Sequence, residues 1–325
     1  MRICQSFRAG WTAGLALGLV VVGGPVAAAE FEKYLPNDTA LVWSLNIRQV
    51  LDSPLAKKHA LTEIKSALKG NDEMQKVLDA LGFDPLRDAN RVIFASPGLG
   101  APDKWVAIVQ GRFDLEKFHT KAKEVAKQQG GILSIQEEGA HEFYEVVVPG
   151  QAQAMFVALL NKDTLIGASG KEYVFEALDK AAGKKQPGLK KELCDLLAKA
   201  DSKQSLSMAT LSEAIRNGPL ADNNDAKEIA GKIKNASGGI TIGDDLRASF
   251  VVAAKDPDGA KEVAEKISNG LNLAKGIVSL QSQTLKELEP LVEFLDSLKI
   301  ATQGASVTLK GQVSKELIEK SLKKE

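Results

Sequence analysis

The sequence predicts an α+β protein in which helices pack on mainly antiparallel sheets, built as a degenerate internal duplication. Two patterns support this fold class. Short apolar runs bounded by Gly, Pro, Asn or Asp are typical of strands, and they alternate with longer segments in which apolar residues recur every three or four positions, as in amphipathic helices. In addition, several strand-like runs follow one another through short turns, which favours antiparallel pairing.

The first part of the chain alternates between these two patterns. Strands are predicted at Ala40–Ile47, Arg91–Ser96 and Lys104–Gln110. Helices are predicted at Pro54–Leu68, Asn71–Leu81 and Asp114–Gln129. Each of the last two helices begins at an Asn or Asp that can cap it, and each is followed by glycine.

Four consecutive strands joined by short turns predict an antiparallel meander. They are Ile132–Glu137, Phe143–Val148, Ala154–Leu160 and Thr164–Ala168. Helices are expected at Lys171–Ala182 and Leu189–Ala200, and the segment GKKQPG (183–188) between them is the most linker-like part of the chain.

The second part repeats the order of the first. Its predicted elements are strand Ser205–Leu211, helix Asp225–Ala236, the hairpin strands Gly239–Ile242 and Arg247–Ala254, a helix that Asp256 caps, strand Ala305–Val313 and helix Ser314–Leu322. The segment SEAIRNGPLA (212–221) corresponds to IRQVLDSPLA (47–56). We therefore divide the chain after its first 29 residues into two α+β repeats, 30–188 and 189–325.

The second repeat contains an added helical stretch, Leu271–Leu298. Apolar residues of its last part, from Leu288 onward, recur at helical spacing, and Pro290 is expected to begin or kink that part. One interpretation is a partner-binding helix or a short coiled coil. A helix that covers its own sheet is favoured, because the apolar seam is shorter than a coiled coil requires.

The first 29 residues have the order of a secretory signal peptide. Arg2 and Arg8 precede an apolar run of twelve residues, Trp11–Val22, and small residues end at Ala29. The run is shorter than the roughly 20 residues that span a bilayer, so cleavage near Ala29 is favoured over an uncleaved anchor. The sequence thus predicts a periplasmic or secreted protein without a transmembrane segment in the mature chain.

Charge and cysteine content narrow the functional classes. Loss of Arg2 and Arg8 leaves 40 of the 42 basic residues against 42 acidic ones, a formal charge of −2. The predicted mature chain therefore has no net positive charge that would attract nucleic acid. Cys194 is the one cysteine that follows the predicted signal peptide, so no internal disulfide can form. It is expected in the core beside Leu193, Leu196 and Leu197, with a disulfide-linked dimer as the alternative.

The three histidines do not form a recognisable metal motif. His59, His119 and His141 each lack a second histidine three or four positions away, so no HExxH-type zinc face exists. Neighbouring acids at Glu137–Glu138 and Asp244–Asp245 are interpreted as solvated hairpin turns. The sequence therefore assigns no catalytic, metal-binding or cofactor-binding residue, and we expect no cofactor.

Three glycine- or acid-rich segments resemble ligand loops but lack required residues. Ser169 lies in the segment GASGK (167–171). Leu165 and Glu172 are incompatible with a phosphate loop, and Lys171 is incompatible with a nucleophile elbow. Ser169 or Gly170 is therefore expected to cap the following helix. Gly98–Gly100 is not followed by a helix, as a dinucleotide fingerprint would require. Asp222–Asp225 departs from the EF-hand pattern and is expected to cap a helix.

Two tryptophans fall inside predicted strands. Trp43 shares a strand face with Leu41 and Leu45, and Trp105 shares one with Ala107 and Val109. Core packing is the favoured interpretation, because large aromatic residues dominate cores. A binding groove lined by tryptophan is the alternative.

Three segments carry a resemblance to a known group of proteins. They are YLPNDTALVWSLNIRQVLDSPLAKK near the start, ALGFDPLRDANRVIFASPG after it, and ASVTLKGQVSKELIEK at the end. In this order they resemble a family of exported, signal-peptide-bearing bacterial proteins whose molecular function is uncharacterised. The resemblance covers most of residues 31–325 and implies no functional residues.

The sequence therefore predicts an exported, non-catalytic protein of the cell envelope that has a structural role or binds an unknown protein or a small apolar ligand. A concave face between the two repeats is the expected binding region. Two alternatives stay open. One is an exported hydrolase in which Ser169 or His141 meets an acid only in three dimensions, and the other is an apolar-ligand carrier with Leu271–Leu298 as a lid.

Overall fold

One antiparallel sheet of twelve strands organises the part of the chain described by the computed structural model, which comprises residues 31–69, 75, 78, 82–101, 103–128, 131–139, 141–147, 153–216, 224–282 and 288–322. The strands are β1 (Leu41–Asn46), β2 (Ala89–Ser96), β3 (Val106–Gly111), β4 (Leu133–Glu138), β5 (His141–Val146), β6 (Met155–Asn161), β7 (Thr164–Ala168), β8 (Leu206–Leu211), β9 (Ile233–Ile242), β10 (Leu246–Ala254), β11 (Lys299–Gln303) and β12 (Ser306–Val313).

Helices connect the strands and cover parts of both faces of the sheet. Among the described residues they are α1 (Ile47–Asp52), α2 (Pro54–His59), α3 (Leu61–Lys69), α4 (Pro85–Asp88), α5 (Leu115–Gln128), α6 (Lys171–Ala181), α7 (Lys191–Ala198), α8 (Ser212–Arg216), α9 (Asn224–Lys232), α10 (Pro257–Ser282), α11 (Glu289–Ser297) and α12 (Lys315–Leu322). A 3-10 turn, Glu32–Tyr34, precedes β1.

The strand order runs β11-β12-β10-β9-β8-β1-β2-β3-β7-β6-β5-β4. At its middle, β1 pairs with β8, which lies about 160 residues later in the chain, with Trp43 opposite Met208. Outward from this pair, the order is β1-β2-β3-β7-β6, continued by β5 and β4, in one direction and β8-β9-β10-β12-β11 in the other. This order agrees with the internal duplication, which stays a prediction.

The two faces of the sheet differ in their cover. We call them the Val42 face and the Trp43 face, because successive residues of a strand point to opposite sides. On the Val42 face, directly paired Val42, Ala95, Val106 and Ala168 are each at most 1% exposed. Helices α6 and α7 pack on these strands through Val174, Ala177, Leu193, Leu196 and Leu197.

Among the described residues, helices cover the Trp43 face near each end of the sheet. Helix α5 places Phe118 and Ala122 against Tyr144 and Val157 of the meander. Helix α10 places Ala260 and Val263 against strands β10 and β12. The strands between these two helices have a more exposed surface on this face, which is described below.

A buried lysine fixes the segment that precedes β1. The side chain of Lys180 on α6 is 0% exposed, and its Nζ donates hydrogen bonds to the carbonyl of Leu35 at 2.5 Å and to Oδ1 of Asn37 at 2.8 Å. The carboxylate of Glu176 lies 2.7 Å from the same nitrogen. Burial acts to raise the pKa of Glu176, but hydrogen bonds from Lys180 and Lys185 hold it below its ordinary value. The charged group is therefore satisfied inside the core.

The structure confirms the predicted α+β fold and most of the predicted elements. The meander pairs β4-β5-β6-β7 in antiparallel order, and β7 has the predicted bounds. Three predicted caps form: the backbone N–H groups of Lys117, Gly259 and Leu317 donate to the side chains of Asp114, Asp256 and Ser314. Pro290 lies in the first turn of α11, as predicted, and Pro257 is the first residue of α10.

Some predicted elements were wrong in extent. Residues 54–68 form two helices, because the chain turns at Ala60 between α2 and α3. The helix expected over Asp225–Ala236 ends at Lys232, and β9 begins at Ile233. Glycine within β9 permits a close approach that the pattern does not reveal, since a Cβ on Gly238 would lie 2.3 Å from the carbonyl oxygen of Ser249. Strand β11 was not predicted, because it is a short, mostly exposed edge strand.

Several sequence predictions lie wholly or partly outside the described residues. They are the signal peptide at 1–29, the helix at 71–81, the turn at Pro149–Gly150, the corresponding segment at 217–221, the cap at Asp222 and Asn223, and part of the stretch 271–298.

We expect Lys180→Met to lower the free energy of unfolding by about 3 kcal/mol, because it leaves the buried carbonyl of Leu35 without a donor and removes the hydrogen bond to Asn37 and one partner of Glu176. Urea unfolding followed by circular dichroism measures this change. Lys191→Met is the matched control, since its ion pair with Asp195 is exposed to solvent and should contribute little to stability. Equal effects of the two substitutions would contradict the assigned role of Lys180.

Candidate functional site

The centre of the Trp43 face carries a group of large apolar side chains. Strand pairing places Trp43 between Phe94 and Met208, and Leu45 follows two residues after Trp43 on the same side. The ring of Trp105 stacks on that of Phe94 with a centroid distance of 6.2 Å and an interplanar angle of 22°. We call Trp43, Leu45, Phe94, Trp105 and Met208 the central apolar patch.

This patch is only partly covered by the rest of the chain. Leu45 is 40% exposed and Phe94 is 38% exposed, whereas Ile93, on the opposite side of the same strand, is fully buried. The cause is the position of the helices, since α5 covers the meander and α10 covers β10 and β12. The central strands β1, β2 and β8 lie between them.

The two tryptophans are not simply core residues, although Trp43 packs against the buried core cluster, and a binding role for them stays a prediction. Both are half-buried and belong to a surface that includes exposed neighbours. Sequence reasoning placed Leu45 on the strand face of Trp43 but missed Phe94 and Met208 as members of this surface. The alternation in RVIFAS and ALVWSLNI indicated which side chains share a face, but not that α5 and α10 leave the centre of one face uncovered.

A second exposed apolar surface lies on helix α10. Leu273, Ile277 and Leu280 are 67%, 51% and 69% exposed, and their spacing places them on one side of the helix. We call these three residues the helix stripe. The opposite side of this part of α10 packs on α11, where Lys275 pairs with Asp296 at 3.3 Å. The end of α10 is therefore held against α11 with its apolar side chains outward.

His141 contacts an acid, but its surroundings are aromatic. Its Nε2 lies 3.3 Å from Oδ1 of Asp179, and its ring stacks on Phe175 with a centroid distance of 5.0 Å. Ser169 precedes helix α6 while Asp179 lies near its other end, roughly 12 Å away at 1.5 Å per residue. The structure therefore does not bring Ser169 and His141 together.

The hydroxyl of Ser169 bonds to the backbone of one residue. It accepts a hydrogen bond from the N–H of Trp105 at 3.0 Å and donates one to the carbonyl of Trp105 at 3.3 Å. Gly170 occupies the cap position of α6, without a side-chain hydrogen bond. Of the two caps that the sequence allowed, Gly170 is therefore the correct one, and Ser169 instead links the start of β3 to the end of β7.

His119 belongs to a polar group between α5 and β5. The hydroxyl of Tyr144 contacts Nδ1 of His119 and lies 3.4 Å from Oε1 of Glu142, which is 3.1 Å from the same histidine nitrogen. Burial, and then the charge and hydrogen bond of Glu142, raise the pKa of the Tyr144 phenol well above its ordinary value. The group fixes α5 on the meander. His59, by contrast, has a buried Nε2 without a hydrogen-bond partner among the described residues.

The acidic pairs at the hairpin turns form exposed ion pairs. Glu138 pairs with Lys171 at 2.6 Å, Asp245 with Arg247 at 2.7 Å, and Asp244 with Lys315 at 3.5 Å. Asp225 lies inside the first turn of α9, so the prediction that it caps this helix was wrong. Within the described residues, no three His, Cys, Asp or Glu side chains are arranged to hold a metal ion.

Cys194 lies on α7 beside the buried residues Leu193, Leu196 and Leu197, as the sequence predicted, but it is half-buried. Burial raises the pKa of its thiol, and the nearby carboxylates of Glu32 and Asp195 add to that shift. The thiol form is therefore favoured at neutral pH, which makes Cys194 a weak nucleophile.

Gly98–Gly100 forms the loop between β2 and β3, and the following element is a strand, as predicted. Asp103, Glu172 and Ser169 line a polar surface cavity of about 370 Å³. The hydroxyl of Ser169 forms its hydrogen bonds with the backbone of Trp105 and not with either acid.

Over the described residues, none of the helices has the length and apolar character needed to cross a bilayer.

Comparison with solved structures shows similarity at the level of the fold. A structure of crystal form III of TP0453 matches with a TM-score of 0.50 and 8% identity over 89% of this chain and 96% of that chain. Crystal form I of TP0453 gives a TM-score of 0.48 and 8% identity over 91% and 97% of the respective chains. No protein-family model and no curated protein sequence matches this chain.

We expect the free energy of unfolding to fall as the pH rises above about 10, because the folded protein retains the Tyr144 proton that the unfolded chain releases near its ordinary pKa of 10. One such group contributes a slope of at most about 1.4 kcal/mol per pH unit. Tyr144→Phe should reduce this slope. Urea unfolding of both proteins between pH 7 and 11 tests it, and identical slopes would contradict the role of Tyr144.

Proposed function

We propose that this protein is an exported, non-catalytic protein of the cell envelope that binds an unknown protein or a small apolar ligand on the central apolar patch. The observation that carries the proposal is the exposure of Leu45 and Phe94 at the middle of a sheet whose outer strands are covered on that face by α5 and α10. Soluble proteins rarely leave large apolar side chains exposed together, and such surfaces mark interaction sites.

The composition of the patch supports binding. Trp, Phe and Met supply large apolar contact areas, and aromatic residues and methionine are enriched at protein interfaces. The patch contains residues from β1 and β2 on one side and Met208 of β8 on the other, so it lies where the two proposed repeats meet. That is the position at which the sequence predicts a concave face.

An apolar ligand would lie on this patch rather than under Leu271–Leu298. Helix α10 contacts the sheet through its first half, at Ala260, Val263 and Ile267, while the helix stripe of its second half faces solvent. The carrier alternative therefore becomes a form of the same proposal, with the patch as the ligand surface.

The hydrolase alternative depends on the ion pair between His141 and Asp179. A histidine held by an acid is part of a nucleophile-activating group only when a nucleophile lies within hydrogen-bond reach. Ser169 lies at the other end of α6 and bonds to Trp105 instead. This distribution favours the non-catalytic proposal.

Export itself has a direct test. If residues 1–29 are a cleaved signal peptide, the protein recovered from the periplasm or medium of a bacterial host begins at Glu30. Intact-mass spectrometry and N-terminal sequencing measure this start. A secreted or periplasmic product that retains Met1, or a product found only in the cytoplasm, would contradict cleavage near Ala29 or export.

The patch has a matched control on the opposite face of the sheet. Val251 is 39% exposed and shares the Val42 face, so Val251→Ser removes a similar fraction of exposed apolar surface elsewhere. We expect the double variant Leu45→Ser/Phe94→Ser to weaken binding of oleate at least tenfold, and Val251→Ser to leave it unchanged. Trp43 and Trp105 are the two tryptophans after residue 29, so intrinsic fluorescence reports on the patch itself.

Native mass spectrometry of the purified protein extends this test to molecules that it carries from the cell. Retained apolar molecules, or a copurified protein, should be lost from the double variant and kept by Val251→Ser. If neither oleate nor any cellular molecule binds, or if both variants lose binding equally, the patch is not the binding surface. Thermal unfolding of each variant verifies that the fold persists.

A further inference from the structure

A polar cavity lies at one end of the Val42 face, away from the central apolar patch. It has a volume of about 650 Å³, within the size range of small-molecule sites, and it is bounded by the ends of β1, β2 and β3, the turn between β6 and β7, and the 3-10 turn at Glu32–Tyr34. We call it the arginine cavity, because Arg91 and Arg112 are among its lining residues.

Register places a row of polar side chains along the cavity. Asn46, Arg91, Gln110 and Thr164 are directly paired across the four adjacent strands β1, β2, β3 and β7. The neighbouring row on the same face contains Ile93, Ile108 and Ile166, which are fully buried. On this face, the sheet therefore changes from buried apolar side chains to polar side chains between two neighbouring rows of paired residues.

The charges of the cavity are unbalanced. Lys33, Arg91 and Arg112 line it together with Asp163, which is the one carboxylate among its lining residues. The described residues form no ion pair or hydrogen bond with the guanidinium groups of Arg91 and Arg112, and Lys33 contacts the ring of Tyr34 at 4.9 Å. Burial lowers the pKa of Arg91, as expected for a cation that is partly desolvated without a partner.

A smaller, inner cavity adjoins this site. Arg91 and Ser202 line both, and the inner space of about 30 Å³ is large enough for one water molecule or hydroxyl. Asp201 and Gln204 also line the inner space, and Oε1 of Gln204 is buried without a hydrogen-bond partner among the described residues. An unsatisfied buried acceptor favours a donor from outside the chain.

We propose that the arginine cavity binds a small hydroxylated anion that bears a phosphate or carboxylate group. Its oxyanion pairs with Arg91 and Arg112, because a guanidinium matches the geometry of both groups. A hydroxyl of the ligand, directly or through one water, donates toward Gln204. The neutral side chains of the polar row supply hydrogen bonds to the remaining polar groups. This site is independent of the central apolar patch.

Isothermal titration calorimetry at 20 mM NaCl tests the ligand class with three probes. Glucose 6-phosphate carries both features, inorganic phosphate carries only the anion, and glucose carries only hydroxyls. We expect glucose 6-phosphate to bind at least tenfold more tightly than either of the other two. Equal affinities for glucose 6-phosphate and inorganic phosphate would overturn the hydroxylated class, and no heat from either up to about 10 mM would overturn the site.

Variants of the full chain test the location. Arg91→Gln should weaken glucose 6-phosphate binding at least tenfold, and Arg91→Lys, which keeps the charge, should weaken it less. Gln204→Leu should weaken glucose 6-phosphate binding but leave phosphate binding unchanged. The control is Lys310→Gln, because Lys310 is an exposed cation on the same sheet face outside the cavity.

An equal loss in Arg91→Gln and Lys310→Gln would overturn the site in favour of general charge attraction, and unchanged binding in a folded Arg91→Gln would place the ligand elsewhere. Thermal unfolding establishes that each variant is folded. Leu45→Ser/Phe94→Ser should bind glucose 6-phosphate normally, so failure of the apolar-patch proposal and failure of this one give different results.

Discussion

The pairing of β1 with β8 is the interaction on which the rest of the structure depends. It joins strands that lie about 160 residues apart in sequence and makes one sheet from two sets of strands that would otherwise each present an open edge. Open edges in the middle of an apolar surface are prone to aggregation, so their mutual pairing satisfies the backbone and protects the fold. The core is shared as a result, because Ala209 and Leu211 of β8 pack with Val42 and Ile93.

Continuity of the sheet also decides where covering helices are absent. Among the described residues, α5 covers the outer strands of one half on the Trp43 face, and α10 and α11 cover those of the other half. None of these helices covers the junction between the halves, which leaves Leu45 and Phe94 exposed. On the Val42 face, α6 covers strands of the first half and α7 lies over β8, while β10 and β12 have polar side chains such as Ser249 and Lys310. Such an uncovered polar face is ordinary for an antiparallel sheet.

The two proposed binding regions have different chemistry because they occupy different places on this one sheet. The central apolar patch consists of side chains on or beside the central strands, and α5 and α10 do not cover them. The arginine cavity lies where strands end, and polar side chains there meet the 3-10 turn at Glu32–Tyr34. Lys180 holds the adjoining segment through Leu35 and Asn37, so the wall of the cavity near Lys33 and Tyr34 is connected to a buried ion pair.

The sequence by itself determined the elements whose signals are local. Alternation located β1, β2 and β7, and capping side chains such as Asp114 and Asp256 located the starts of α5 and α10. The local pattern did not predict the full length of β9, because a polar, glycine-containing run lies inside the sheet there. It did not predict β11, because the side chains of that strand are mostly exposed and show no apolar alternation.

Only the tertiary structure decided which surfaces could bind. Trp43 and Trp105 were visible in the sequence, but the exposure of Leu45 and Phe94 depends on helices far along the chain that cover other strands. Arg91, Gln110 and Thr164 gave no motif, because strand register, which long-range pairing sets, is what brings them into one row. Periodicity specifies which side of an element is apolar, whereas the presence or absence of a neighbour over that side is a property of the whole fold.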